Sequence, residues 1–122
     1  LLCPPHTPET EDMANAGFFA AMAPHALFLN LGRGALVDEA ALMAALDAGR
    51  PAFAAIDVTR TEPLPADSPL WKHPKIAITP HDSADTPGTI DGADETFLAN
   101  LERYLTGKPL KHLVDPAAFK PA

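Results

Sequence analysis

ALFLNLGRGALVDEAAL, residues 26–42, decides the fold. Its first six residues, Ala26 to Leu31, form a short and nearly continuous apolar run, the pattern of a strand covered on both faces in a parallel sheet. The run stops at Gly32-Arg33-Gly34. Asp38 then offers an N-cap carboxylate, and Leu42, Ala45 and Leu46 supply the apolar stripe of a helix that Gly49 ends. Strand, turn and helix follow one another within some two dozen residues.

The same unit recurs on either side. Phe53 to Val58 (FAAIDV) and Ile76 to Thr79 (IAIT) read as two more strands, closed by the polar residues Asp57 and His81. The loop between them carries Pro63, Pro65, Pro69 and Pro74, and a connection beyond about a dozen residues is uncommon unless it has a function. Upstream, Leu1-Leu2-Cys3 before Pro4-Pro5 reads as the end of a strand whose beginning is missing. Thr7-Pro8-Glu9 has the hydroxyl, proline and acid that open a helix, with Asn15 as a second start, and Met13, Phe18, Phe19 and Met22 close to helical spacing before Pro24. Downstream, Thr86-Pro87 starts a helix through Ile90, Ala93, Phe97, Leu101 and Tyr104 to Gly107 and Pro109. The tail beyond has no strong pattern.

Strands alternating with capped helices predict an α/β fold, a doubly wound parallel sheet with right-handed crossovers. Ligands in such sheets bind beyond the carboxyl ends of the strands, where Arg33, Asp57 and His81 fall.

Composition narrows the partners. The 122 residues are 47% hydrophobic and carry sixteen acidic against nine basic side chains, a net charge of −7. No cluster of Lys or Arg could neutralise a run of phosphates, which argues against nucleic acid and anionic membrane. With Cys3 alone, no intramolecular disulfide can form and a reducing cytoplasm is the expectation. Neither a membrane span nor a signal peptide is expected from the pattern of apolar and basic residues.

Arg, Glu and His at strand ends can hold a carboxylate, orient an imidazole and give a proton to a carbonyl oxygen. Singly each has a plainer reading, Arg33 as a surface turn residue and His81 as a capped loop residue; their convergence on one sheet edge favours chemistry. Asp57, at the end of a buried strand, needs hydrogen-bond partners, which a ligand hydroxyl or amide would supply; a cap on the following loop is the alternative. His6, His25, His73, His81 and His112 show no paired ligand spacing, so no metal is expected. Cys3 has no reactive-thiol setting, no serine elbow occurs, and Trp71 reads as loop packing.

The succession HTPET (6–10), NLGRGALVDE (30–39), AAIDV (54–58), TEPLP (61–65), SPLW (68–71) and ITPH (78–81) resembles the D-isomer-specific 2-hydroxyacid dehydrogenases, and within them the glyoxylate and hydroxypyruvate reductases. The match runs in one register from the first residues to Val114. It implies an oxidoreductase moving hydride between NAD or NADP and C2 of a small 2-oxo or 2-hydroxy acid. In that resemblance Arg33 clamps the substrate carboxylate and 2-oxo group, His81 is the acid/base, and Glu62 hydrogen-bonds the other ring nitrogen, favouring the charged imidazolium. Thr7, Leu31, Gly32, Arg33, Asp57, His81, Ser83 and Ala84 lie near the cofactor. A formate dehydrogenase relative is disfavoured, since that branch has Gln where this chain has Glu62.

Two departures qualify the match. Residues 81–85 read His-Asp-Ser-Ala-Asp, where the family has an apolar residue after the histidine. No Gly-x-Gly-x-x-Gly occurs, because Gly32 and Gly34 are followed by Val37 where a third glycine would fall. The chain is therefore expected to be a fragment: residues 1–85 as the C-terminal half of an NAD(P)-binding domain with the catalytic residues, and 86–122 as a helix and tail returning to the substrate-binding domain. The full-length form is expected to be a homodimer and the isolated fragment inactive. The alternative is a truncated, non-catalytic α/β module lacking the phosphate-binding loop.

Overall fold

The computed structural model describes residues 1–115 and divides into two compact units, Leu1–Asp82 and one that begins at Ser83. In the first, strands β1 (Leu27–Asn30), β2 (Phe53–Ile56) and β3 (Ile76–Ile78) form a parallel sheet in the order β1-β2-β3. Leu27 pairs with Phe53, and Ala54 with Ile76. Leu2 adds a further parallel bridge to Asn30, its amide donating to the Leu29 carbonyl at 2.8 Å. The strand end read in Leu1-Leu2 is thus paired.

Helices α1 (Ala16–Ala21) and α2 (Glu39–Asp47) pack on each other and on the sheet face presented by Phe28, Ala54 and Ile56. Phe19, Phe28, Leu36, Leu42, Leu46 and Leu70 are fully buried there. Phe19 meets Phe28 edge to face, ring centroids 5.1 Å apart. Asp38 caps α2 by accepting from the Ala41 amide at 3.0 Å, and Gly49 closes it at a φ of +80°.

The sequence predicts strands covered on both faces. Within this unit one face is covered, and Leu27 and Phe53 on the other are exposed. The order explains it: Leu2, β1, β2 and β3 advance in one direction, and right-handed crossovers that never reverse put their helices on the same side. The apolar run marks both faces for burial; this unit fills only one.

The first helix also starts later than its Thr7-Pro8-Glu9 signal. Residues 8–12 make turns, the Thr10 hydroxyl donating to the Pro5 carbonyl at 2.9 Å. The chain then pairs with residues 35–38: the Ala14 amide donates to the Leu36 carbonyl, and the Asp38 amide to that of Ala14. These long-range bonds occupy backbone groups that a helix from Thr7 would need. The second start prevails, with Asn15 accepting from the Phe18 amide at 3.1 Å.

The connection from β2 to β3 holds a short 3-10 helix, Pro69–Lys72, capped by Ser68 and anchored by buried Leu70. In the second unit, α3 (Pro87–Leu105) starts at a Thr86 cap and ends in a left-handed Gly107, with the Lys108 amide donating to the Arg103 carbonyl. That paired bonding at a glycine stop is a Schellman motif. No residue of α3 is buried. The end of the tail, residues 116–122, lies outside the described residues.

Candidate active site

The carboxyl ends of β1, β2 and β3 deliver Arg33, Asp57 and His81, and the loop after β2 brings Glu62 back among them. At the β1 end, Asn30 is buried, its carboxamide donating to the Arg33 carbonyl at 3.0 Å and accepting from the Gly32 amide at 3.1 Å. One side chain thereby sets the Gly32-Arg33-Gly34 turn. Arg33 itself is exposed, with Nη1 donating to the Gly32 carbonyl at 2.7 Å. A Cβ on Gly34 would lie 2.0 Å from the Thr59 carbonyl group, so the loop after β2 rests directly on this turn.

Asp57 is 3% exposed at the β2 end. Its Oδ1 accepts from the Thr79 hydroxyl and from the Asp82 amide at 3.1 Å, which ties β2 to the loop leaving β3. Of the two sequence readings of Asp57, the loop cap describes these two bonds.

His81 follows Thr79-Pro80 with a φ of +59°, a left-handed backbone uncommon for a side-chain-bearing residue and frequent at functional sites. Its Nδ1 lies 2.9 Å from Glu62 Oε2, while Glu62 Oε1 accepts from the Thr59 amide at 3.0 Å. The Thr59 amide, then His81, hold the Glu62 carboxyl below the usual carboxylate range, and the nearby Arg33 charge acts in the same direction. An ionised carboxylate only accepts, so Nδ1 is the donor and carries a proton in both charge states of the ring. Nε2 is then the nitrogen free to gain or lose one.

Asp57, Glu62, His81, Thr79, Ile78 and Trp71 all line one cavity of about 460 Å³. The structure thus brings Asp57, Glu62 and His81 together. Arg33, Leu31 and Gly32 stand at the neighbouring strand end, outside the lining. Thr7 lies in the N-terminal segment, its amide donating to the Thr10 hydroxyl at 2.8 Å. Ser83 and Ala84 fall in the second unit.

Asn30, Thr59 and Thr79 escaped the sequence reading. Only Asn30 left a signal, as the one polar residue inside an apolar run. Trp71, read as loop packing, does pack its loop, its Nε1 donating to the Pro65 carbonyl at 2.9 Å, and it also forms part of the cavity wall. Among the described residues no group of three His, Cys, Asp or Glu is placed to hold a metal ion, and no helix is long and apolar enough to cross a membrane.

Residues 1–83 match the model of the D-isomer specific 2-hydroxyacid dehydrogenase NAD binding domain. A glyoxylate/hydroxypyruvate reductase A from Serratia proteamaculans is 49% identical over 111 residues, which are 91% of this chain and 35% of that protein. The chain spans about a third of the length of the curated relatives it matches. Among solved structures, a D-isomer specific 2-hydroxyacid dehydrogenase from Xanthobacter autotrophicus, in complex with NADPH and MES, superposes with a TM-score of 0.80 at 42% identity over 95% of this chain and 47% of that one. An NADPH-dependent glyoxylate/hydroxypyruvate reductase from Sinorhizobium meliloti, in complex with NADP and sulfate, gives 0.82 at 31% identity over 95% and 38%. With a parallel half-sheet, a histidine–glutamate pair at its carboxyl edge and about two thirds of its residues matched to one model, the chain belongs to the D-isomer specific 2-hydroxyacid dehydrogenase family.

Proposed function

We propose that this chain carries the acid/base half of an oxidoreductase that interconverts a small 2-oxo acid and its 2-hydroxy acid with NADPH or NADH. The observation that carries the reading is the Glu62–His81 pair at a cavity beyond the strand ends. Glu62 fixes the ring and keeps the proton on Nδ1, so Nε2 is the site of exchange. In reduction, protonated Nε2 gives its proton to the oxygen on C2; in oxidation, neutral Nε2 takes it back. Arg33 holds the substrate carboxylate and 2-oxo oxygen through its planar fork, which a lysine cannot reproduce.

The nicotinamide, when bound, supplies or accepts the hydride at C2. The residues that fit it are the backbone at Leu31 and Gly32, the buried acceptor Asp57, and Thr7. The apolar wall of Ile78, Leu64 and Trp71 suits a flat ring and excludes water beside it. Ser83 and Ala84 belong to the same proposal. Two relatives solved with NADPH or NADP make NADPH the first cofactor to test. Glyoxylate and hydroxypyruvate are the first substrates, from the names of the reductases matched. A homodimer of the full-length enzyme in a reducing cytoplasm completes the reading.

The test is a chimera in which this chain replaces the matching segment of the Serratia proteamaculans reductase. NADPH oxidation that depends on glyoxylate or hydroxypyruvate supports the reading. A folded chimera that binds NADPH and turns over neither acid contradicts it, and leaves the chain as a non-catalytic α/β module.

A further inference from the structure

Arg60 has no part in the chemistry described above, yet it is bonded to several segments that surround the site. Its Nη1 donates to Glu11 at 3.2 Å and its Nη2 to Asp12, both in the segment that follows Thr7. Nη2 also faces the carbonyls of Val37 at 3.2 Å and Ala35 at 3.4 Å, in the stretch just after Arg33 and Gly34. The Arg60 amide donates to Glu39 at 2.7 Å, at the start of α2. His6 extends the cluster, its Nε2 lying 2.8 Å from Glu11.

A single exposed ion pair contributes little, because water competes and two long side chains must be ordered. Here one planar guanidinium spans two carboxylates and two backbone carbonyls, a fixed fork whose geometry is part of what it binds. The Arg60 backbone nitrogen also lies against Gly34, 2.4 Å from where a Cβ would stand. Thr59, the preceding residue, lies against Gly34 and donates its amide to Glu62 Oε1. If the 59–62 loop lifts from the turn, Thr59 and Glu62 move together, and Glu62 Oε2 leaves His81 Nδ1.

We propose that Arg60 is a positioning residue for the proton-transfer pair: by pinning its own loop to the 35–37 turn and to Glu11 and Asp12, it keeps Glu62 on His81 Nδ1. The proposal rests on the acid/base reading of that pair. It gives the Glu11–Asp12 segment a role at the site through Arg60, without contact with substrate.

Ring nitrogen NMR on the 122-residue chain, uniformly labelled with 15N, tests it at about pH 9, well above the ordinary histidine range of about 6.5. The two nitrogen shifts report which one carries the proton, a property that loop stability alone does not set. In the wild-type chain His81 carries it on Nδ1. Glu62→Ala releases it to Nε2. Arg60→Ala is expected to move His81 most of the way to the Glu62→Ala spectrum, with dispersed amide signals for Ala54 and Ile56 showing that the sheet persists. Should Arg60→Ala fail to fold, the variant carrying Glu11→Gln and Asp12→Asn removes the two carboxylate charges that hold Arg60 and is expected to shift His81 in the same direction. His81 shifts unchanged by the Arg60 or the doubly neutralised variant, while Glu62→Ala moves them, overturn the role of Arg60 and leave the pair standing. His81 shifts that Glu62→Ala leaves unmoved overturn the pair itself.

Discussion

Glu62 divides its two carboxylate oxygens between different duties, Oε2 holding His81 Nδ1 at 2.9 Å and Oε1 held by the Thr59 amide at 3.0 Å. The second bond makes the first directional. A carboxylate anchored at one oxygen cannot rotate away from the ring, so imidazole orientation is set by the loop after β2 as much as by the histidine's own strand.

The depressed pKa of Glu62 has a definite consequence for stability. A carboxyl whose folded pKa lies below its unfolded value stabilises the fold above the unfolded value, ordinarily about 4.3, and that contribution is lost as pH falls through the folded one. The difference in thermal midpoint between wild type and Glu62→Gln is therefore expected to shrink as pH falls below about 4. A difference that grows on acidification contradicts the assigned cause.

Gly34 and Gly49 are required for different reasons, and alanine separates them. At Gly34 the added methyl meets the Thr59 carbonyl group at 2.0 Å, and backbone must move. At Gly49 nothing lies within 4 Å, and the cost is that of a left-handed alanine, about 1 kcal/mol. Urea denaturation is expected to give Gly34→Ala a loss of about 3 kcal/mol or more, at least twice that of Gly49→Ala. Equal losses would mean that the loop after β2 is not seated on the Arg33 turn.

Asp57 links β2 to the exit of β3 through the Thr79 hydroxyl and the Asp82 amide. Asp57→Ala leaves both donors without that acceptor and is expected to cost about 2–3 kcal/mol, against about 1 kcal/mol for Thr79→Val, which removes one bond. Denaturation midpoints of the two variants check the ranking.

For Arg33, substitution by lysine preserves charge and removes the fork. In the chimera with the Serratia proteamaculans reductase, Arg33→Lys is expected to lower kcat/KM for glyoxylate by about tenfold or more, which is about 1.4 kcal/mol. Wild-type efficiency would take Arg33 out of the substrate site.

Much of this architecture was legible in the sequence because its signals are local. The ALFLNL run, the Asp38 cap and the Gly49 stop each act within a few residues, and β1 and α2 appear where they predict. The Thr7 start failed because Ala14 pairs with Val37, a long-range contact that no local propensity reports. Arg33, Asp57 and His81 could be placed at one edge from strand ends alone, and Glu62 joined them through a resemblance. The Thr59 amide on Glu62, the Thr79 hydroxyl on Asp57 and the Arg60 clamp depend on how loops lie in space. Arg60 meets Glu11 from 49 residues away, and nothing in either neighbourhood marks the partner.

The central claim is that His81, held by Glu62, transfers the proton. Steady-state reduction of glyoxylate by NADPH, compared between the chimera and its His81→Ala variant, tests it most directly. A positioned acid/base contributes about a hundredfold to ten-thousandfold, so kcat is expected to fall by at least about a hundredfold while NADPH binding, measured by calorimetry, is retained. A His81→Ala variant that keeps kcat within about threefold of the parent would contradict the account.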